Sequence, residues 1–253
     1  AELIPYFFLA LVVAGSAVIF IRLFYGVRNR FRRLRLPNHL KPALGGLVVG
    51  VIGFFLPDAL GTGYGIIDGA FAGNLGIKIL LLLAVGKMLT TSFSIATGGS
   101  GGVFGPSVVI GGALGGAVGI AMQQVFPNMG IDSGAFVMVG MAGFFSAAAN
   151  TPISTVIMVS EMTGNYNLLV PSMWVCIIAY LLVRRSTIYE KQLPTRMDAP
   201  SHMGEMMGGI LKRVTVADAL ANGSTRQFIM VNESETLRDL LDKFASTKQA
   251  CFP

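Results

Sequence analysis

The sequence predicts an all-α, polytopic membrane protein with broken helices, followed by a short soluble α/β segment. Three observations point to that class. Mean hydropathy is +0.67, and 53% of the 253 residues are apolar while only 13% are charged, a composition that belongs in a bilayer. Glycine-dense stretches interrupt the apolar runs at places where a clean span would continue. From Met206 onward the pattern changes to the shorter, alternating periodicities of a water-soluble module.

The elements follow in order. Ile4 to Phe24 predicts a plain spanning helix, long enough for about 30 Å of hydrocarbon. An arginine-rich loop is expected next, VRNRFRRLRL, carrying Arg28, Arg30, Arg32, Arg33 and Arg35. Ala43 to Leu56 predicts a second span, stopped by Pro57-Asp58. Gly61 to Asn74 (GTGYGIIDGAFAGN) is too glycine-rich for a stable helix and too apolar for an ordinary loop. Ile79 to Ile95 and Ser107 to Val125 are apolar runs on either side of TGGSGGVFGP. Ala135 to Ala149 and Pro152 to Met162 are shorter runs parted by Asn150-Thr151, and Leu168 to Val183 spans again, ending at Arg184-Arg185. STIYEKQL forms a last short segment. In the tail, VTVADAL predicts a helix, RQFIMV a strand, TLRDLLDKFAST an amphipathic helix with Leu237, Leu240, Leu241 and Phe244 on one face, and CFP the start of a further strand. The expected boundaries are 1–196 for the membrane part, 197–205 for a linker and 206–253 for the tail.

Charge and cysteine content exclude several functions. The net charge of +6 would suit nucleic acid, but the arginines gather just after the first span, where basic residues mark the cytoplasmic side. Cys176 lies in an apolar run and Cys251 in the tail, with no spacing that implies a metal or a disulfide. No basic n-region and small-residue cleavage site precede the first apolar run, so no signal peptide is expected. The chain starts at Ala1 without methionine and stops at Pro253 inside an expected strand, and so reads as a fragment.

The chemistry centres on Thr97 to Pro106. Several neighbouring runs are shorter than the roughly 20 residues of a full crossing, as in transporters whose broken helices meet near the midplane. Backbone exposed at that depth needs partners, because hydrocarbon offers none. Pro106 suits the first turn of a helix, since its missing N–H would be unpaired there. The amides of Val103 and Phe104 then face outward from a helix N-terminus that carries roughly +0.5 charge. A cation would need carboxylates or carbonyls, yet the acids of the membrane part (Glu2, Asp58, Asp68, Asp132, Glu161 and Glu190) all fall near predicted segment ends. Backbone donors without acids favour an anion.

Other residues keep two readings each. Tyr189 either aims its phenol inward as a neutral donor or sits in an interfacial belt. Lys87 is an ionisable group within a span, either functional or snorkelling outward. Glu161 reads as a cap or tether at the membrane edge, and His39 and His202 as solvated. Gly111, Gly112, Gly115, Gly116 and Gly119 offer a helix-packing face. GGSGGVFGPS lacks the Lys-Ser/Thr of a Walker loop. No Ser/His, His/His or paired-carboxylate arrangement supplies a general base in the membrane, so no catalytic residue and no metal site is expected.

GGVFGP followed by SVVIGGALGG resembles the third anion-filter segment of the CLC chloride channels and H⁺/Cl⁻ antiporters. AGFFSAAANTPISTVIMVSEMTGNYNLLVP and STIYEKQL, read as a short terminal helix with Tyr189, are similar to that family too, and the tail resembles the start of a CBS domain. The resemblance implies the CLC fold, here its second inverted repeat, with GTGYGIIDG the counterpart of the first filter segment. It implies that the Val103 and Phe104 amides bind the central anion, that the Tyr189 hydroxyl completes its shell, and that Gly101, Gly102, Gly105 and Pro106 shape the turn. It further implies a homodimer in the lipid bilayer of the bacterial inner membrane, with Pro152 to Met162 and Leu168 to Val183 at the interface. The arginine loop and the CBS tail would be cytoplasmic, and a completed CBS pair often binds adenine nucleotide. The family's pore serine, gating glutamate and inner proton-transfer glutamate would lie before Ala1. Chloride is thus the expected substrate, through a channel or an antiporter, with no cofactor and no nucleic acid. The rivals are a CBS-containing divalent cation transporter and a non-transporting membrane scaffold with a nucleotide-sensing tail.

Overall fold

The computed structural model of the chain describes residues 3–193, 199 and 230–246, and every element below lies among them. The chain forms two units, Ala1–Gln192 and Leu193–Pro253. In the first, eight α-helices follow one another: α1 (Leu3–Arg33), α2 (Leu40–Phe55), α3 (Tyr64–Phe71), α4 (Ile77–Ile95), α5 (Phe104–Val125), α6 (Ser133–Ala149), α7 (Pro152–Thr163) and α8 (Leu169–Val183). Four stretches are long and apolar enough to cross a bilayer, namely Ile4–Arg33, Ile77–Ile95, Phe104–Val125 and Tyr166–Val183, while α2 and α6 are shorter and equally apolar. The chain is an integral membrane protein.

α6 forms the centre. It is apolar around its whole circumference and almost every residue from Gly134 to Ala149 is buried, as expected of a helix surrounded by others. α5 packs against it through the glycine row that the sequence offered as a packing face. A methyl group on Gly111 would fall on the Gly140 carbonyl oxygen, and one on Gly115 on the Phe136 carbonyl oxygen. The two backbones are therefore nearly in contact, the arrangement small residues permit between membrane helices. The helix ends are cut by local chemistry. Asp132 caps α6, its side chain accepting from the Gly134 amide at 2.9 Å. Asn150 ends α6 with φ of 57°, and Pro152 opens α7 in its first turn.

Several expectations are corrected. α1 does not stop at Phe24 but runs on to Arg33, 31 residues in all, so Arg28, Arg30, Arg32 and Arg33 lie on helix and only Arg35 lies beyond it. A helix of that length extends about 46 Å, well past a hydrocarbon core of about 30 Å, and the helix-favouring arginines have no reason to break it. Gly61 to Asn74 contains a helix after all, the two turns of α3, because its glycines at 61, 63 and 73 fall outside those turns with positive φ. Ser186 to Leu193 is not a helix. It is an irregular strap with one turn closed by the Gln192 amide on the Tyr189 carbonyl.

In the second unit, α9 (Leu237–Ser246) matches the expected amphipathic helix. Met230 and Val231, the last residues of the expected strand RQFIMV, form no strand. The described residues are all helical or irregular, so the α/β class of the tail is not supported. The VTVADAL helix, Arg226–Ile229, the CFP strand, His202 and Cys251 lie outside the described residues, as does most of the 197–205 linker.

Candidate functional site

The interruption between α4 and α5 sets the site. The chain leaves α4 at Ile95 and turns through Gly98, whose φ of 109° suits glycine. The Gly99 amide donates back to the Ser94 carbonyl at 3.1 Å, and a Cβ on Gly99 would collide with that same oxygen. α5 then begins at Phe104, two residues earlier than Pro106 suggested, with Val103 as its cap residue and Pro106 inside the first turn. The Val103 carbonyl accepts both the Ser107 amide at 3.1 Å and the Ser107 hydroxyl at 2.7 Å, which locks that turn.

The amides from Ser100 to Gly105, by contrast, donate to no acceptor among the described residues. Six consecutive free N–H groups are more than the four orphans any helix start provides. Gly101 and Gly102 are exposed, and a methyl on Gly102 would meet nothing within 4 Å. The space in front of this turn is open.

A cavity of about 170 Å³ lies beside the turn, walled by Gly101, Gly102 and Pro106 on one side and by Lys87, Thr90 and Ser94 of α4 on the other. At about 30 Å³ per water, it has room for a small hydrated ion. No carboxylate lines it. Lys87 does not snorkel. Only 2% of it is exposed, and its Nζ donates to the carbonyls of Gly61 at 2.7 Å, Ala59 at 3.3 Å and Leu60 at 3.4 Å. It thereby ties α4 to the turn that follows α2.

Two of the segments that carry predicted site residues contact α6. The Phe104 ring meets Phe145 edge-on, 4.9 Å between centroids. One helical turn later on α6, the Ala148 carbonyl accepts the Ile188 amide at 2.9 Å. The start of α5 and the strap bearing Tyr189 are thus both seated on one buried helix. Tyr189 itself is 43% exposed, and its hydroxyl makes no hydrogen bond among the described residues. Glu161 accepts from the Tyr166 hydroxyl at 2.9 Å, which fits the tether reading. His39 lies at the start of α2. Among the described residues no cluster of three metal-ligating side chains occurs.

Sequence reasoning missed two groups. The Tyr64 hydroxyl lies 3.8 Å from where a Cβ on Gly105 would sit, so a phenol flanks the first turn of α5. Tyr25 and Arg28 of α1 reach the Tyr189 strap, across sequence separations of 163 and 162 residues. Those separations leave no local pattern to read.

The sequence profile described as voltage gated chloride channel matches residues 1–184. This chain belongs to that family. Similar members include the H(+)/Cl(−) exchange transporter ClcA of Cronobacter sakazakii, 33% identical over 183 residues, covering 71% of this chain and 39% of the relative. The ClcA of Citrobacter koseri is 36% identical over 142 residues, covering 56% of this chain and 30% of the relative. The chain therefore spans about two fifths or less of the curated relatives it matches. Two solved structures share its fold: the crystal structure of a slow cyanobacterial Cl⁻/H⁺ antiporter, with TM-score 0.67 and 22% identity over 83% of this chain and 48% of that one, and a CLC-type fluoride/proton antiporter, with TM-score 0.64 and 20% identity over 75% and 46%. The voltage-gated chloride channel fold accounts for the membrane unit, including its short and interrupted helices.

Proposed function

We propose that the complete protein moves chloride, or a similar small anion, across the membrane past the backbone amides at the start of α5. It does so as a voltage-gated-type channel or in exchange for protons, as the ClcA relatives are named for doing. The single observation that carries this reading is the run of six unpaired amides from Ser100 to Gly105, open in front and flanked by a cavity without carboxylates. Stripping water from an anion is costly. Oriented N–H dipoles offset that cost while holding the ion more loosely than a full positive charge would, so the ion also leaves. In this reading the Val103 and Phe104 amides bind the anion, Gly101, Gly102, Gly105 and Pro106 shape the turn, and Tyr189 adds its hydroxyl. The protein works as a homodimer. The resemblance of the tail is all that supports reading residues 206–253, after the 197–205 linker, as the start of a cytoplasmic CBS module, with adenine nucleotide the candidate ligand of a complete pair.

The test is flux into liposomes holding the full-length protein, with radiolabelled chloride compared against radiolabelled Mg²⁺. Chloride uptake without Mg²⁺ uptake is expected, and the reverse would establish the cation-transporter alternative. Tyr189→Phe should weaken chloride binding measured by calorimetry about 10-fold or more, the cost of one hydrogen bond lost to a charged partner. Unchanged affinity would remove Tyr189 from the site.

A further inference from the structure

Tyr189 lies on an irregular strap, yet the residues on both sides of it are held. Ile188 is 6% exposed. Its amide donates to Ala148 of α6 at 2.9 Å, and its carbonyl accepts the Tyr25 hydroxyl of α1 at 2.8 Å. On the other side the Glu190 carboxylate accepts from the Arg28 guanidinium, also of α1, at 2.5 Å. The Tyr189 amide donates to the Thr187 hydroxyl at 3.2 Å. Tyr25 and Arg28 are three residues apart on one helix and therefore share a face. They grip the strap one residue before and one residue after the tyrosine.

We propose that Tyr25 and Arg28 are positioning residues for the anion site, acting through Tyr189. This rests on the reading that Tyr189 contributes its hydroxyl to the anion's shell. A helix would fix the aim of a tyrosine through a ladder of backbone bonds, and the strap has only one, from the Gln192 amide to the Tyr189 carbonyl. Bonds from α1 and α6 supply the restraint instead. The two parts differ in weight. The Ile188 contacts are sheltered and set the position of the strap. The Arg28–Glu190 pair is half-exposed, with side chains 36% and 58% accessible, so by itself it would contribute little to stability. Its contribution is to stop the strap from rotating about the Ile188 anchor. Such a role lowers anion affinity when lost, without requiring that the protein unfold.

The experiment uses the full-length protein in detergent, with chloride affinity read by calorimetry and thermal stability read separately. Glu190→Gln, Arg28→Gln and Tyr25→Phe should each weaken chloride binding about 3- to 10-fold, in the range of coupled neighbouring sites. Arg28→Glu combined with Glu190→Arg should recover most of the loss. The decisive arm is non-additivity. In a Tyr189→Phe background, Glu190→Gln should change affinity less than twofold. The inference is overturned if Tyr189→Phe weakens binding but the Glu190 and Tyr25 variants bind as the wild type does. It is equally overturned if their losses add in full to that of Tyr189→Phe, since they would then act independently of the tyrosine. If Tyr189→Phe has no effect at all, the tyrosine's place in the proposed function fails and the positioning role fails with it. Tyr25→Phe removes one oxygen atom only, so it remains readable should a charge variant fold poorly.

Discussion

Gly115 shows how little freedom single residues have in this core. A Cβ there would fall on the Phe136 carbonyl oxygen, and Gly140 faces Gly115 with equally little room. Backbone cannot move aside as a side-chain end does, so Gly115→Ala should destabilise the membrane unit by about 1–3 kcal/mol, the usual cost of overpacking. Thermal unfolding in detergent would register it, whereas Gly15→Ala, where nothing lies within 4 Å, should change little. Gly111, Gly112, Gly115, Gly116 and Gly119 were legible as a packing face from their spacing alone. The partner surface on α6 was not, because nothing in a run of apolar residues says which carbonyl will face which glycine. Lys87 teaches the same lesson. Its place inside a span was visible, but its three carbonyl partners at Ala59, Leu60 and Gly61 come from a turn nearly 30 residues away.

At the scale of elements, boundaries depend on residues with short-range chemistry. In α9, Thr236 and Asp239 form a reciprocal cap. The Thr236 amide and hydroxyl donate to the Asp239 carboxylate at 3.0 and 2.6 Å, and the Asp239 amide donates to the Thr236 hydroxyl at 3.3 Å. The hydroxyl bond, followed by the amide bond, holds the Asp239 carboxyl below its ordinary value of 3.8. A depressed folded pKa means that the cap contributes fully above pH 3.8 and is lost as pH falls through the lower, folded value. Hydrogen exchange across Leu237–Ser246, corrected for its intrinsic pH dependence, should therefore speed up on acidification in that window. Thr236→Ala should remove the effect. α1 is the contrasting case. Its arginines read correctly as a cluster at the end of a span and wrongly as a loop, because charge alone does not break a helix. Replacing Arg30, Arg32 and Arg33 by Glu should disturb the orientation of α1, seen by labelling single cysteines from either side of the membrane.

At the scale of the whole molecule, α7 and α8 carry outward apolar side chains, among them Ile153, Ile157, Trp174 and Ile177. In the dimer of our proposal these face a second copy. Ile157→Arg with Ile177→Arg should shift the full-length protein from dimer to monomer in light scattering, while arginines at Phe54 and Leu82, exposed on α2 and α4, should not. Sequence alone was enough for the membrane class, most of the helices and the glycine-flanked break before Phe104. Each of these follows from composition, periodicity or the hydrogen-bonding rules of a few adjacent residues. Tertiary structure alone decided that α6 would support both Phe104 and the Tyr189 strap, that Lys87 would turn inward, and that α1 would hold the strap in place. Those arrangements join groups up to 163 residues apart, and their partners are chosen by how the helices pack, which no local pattern encodes.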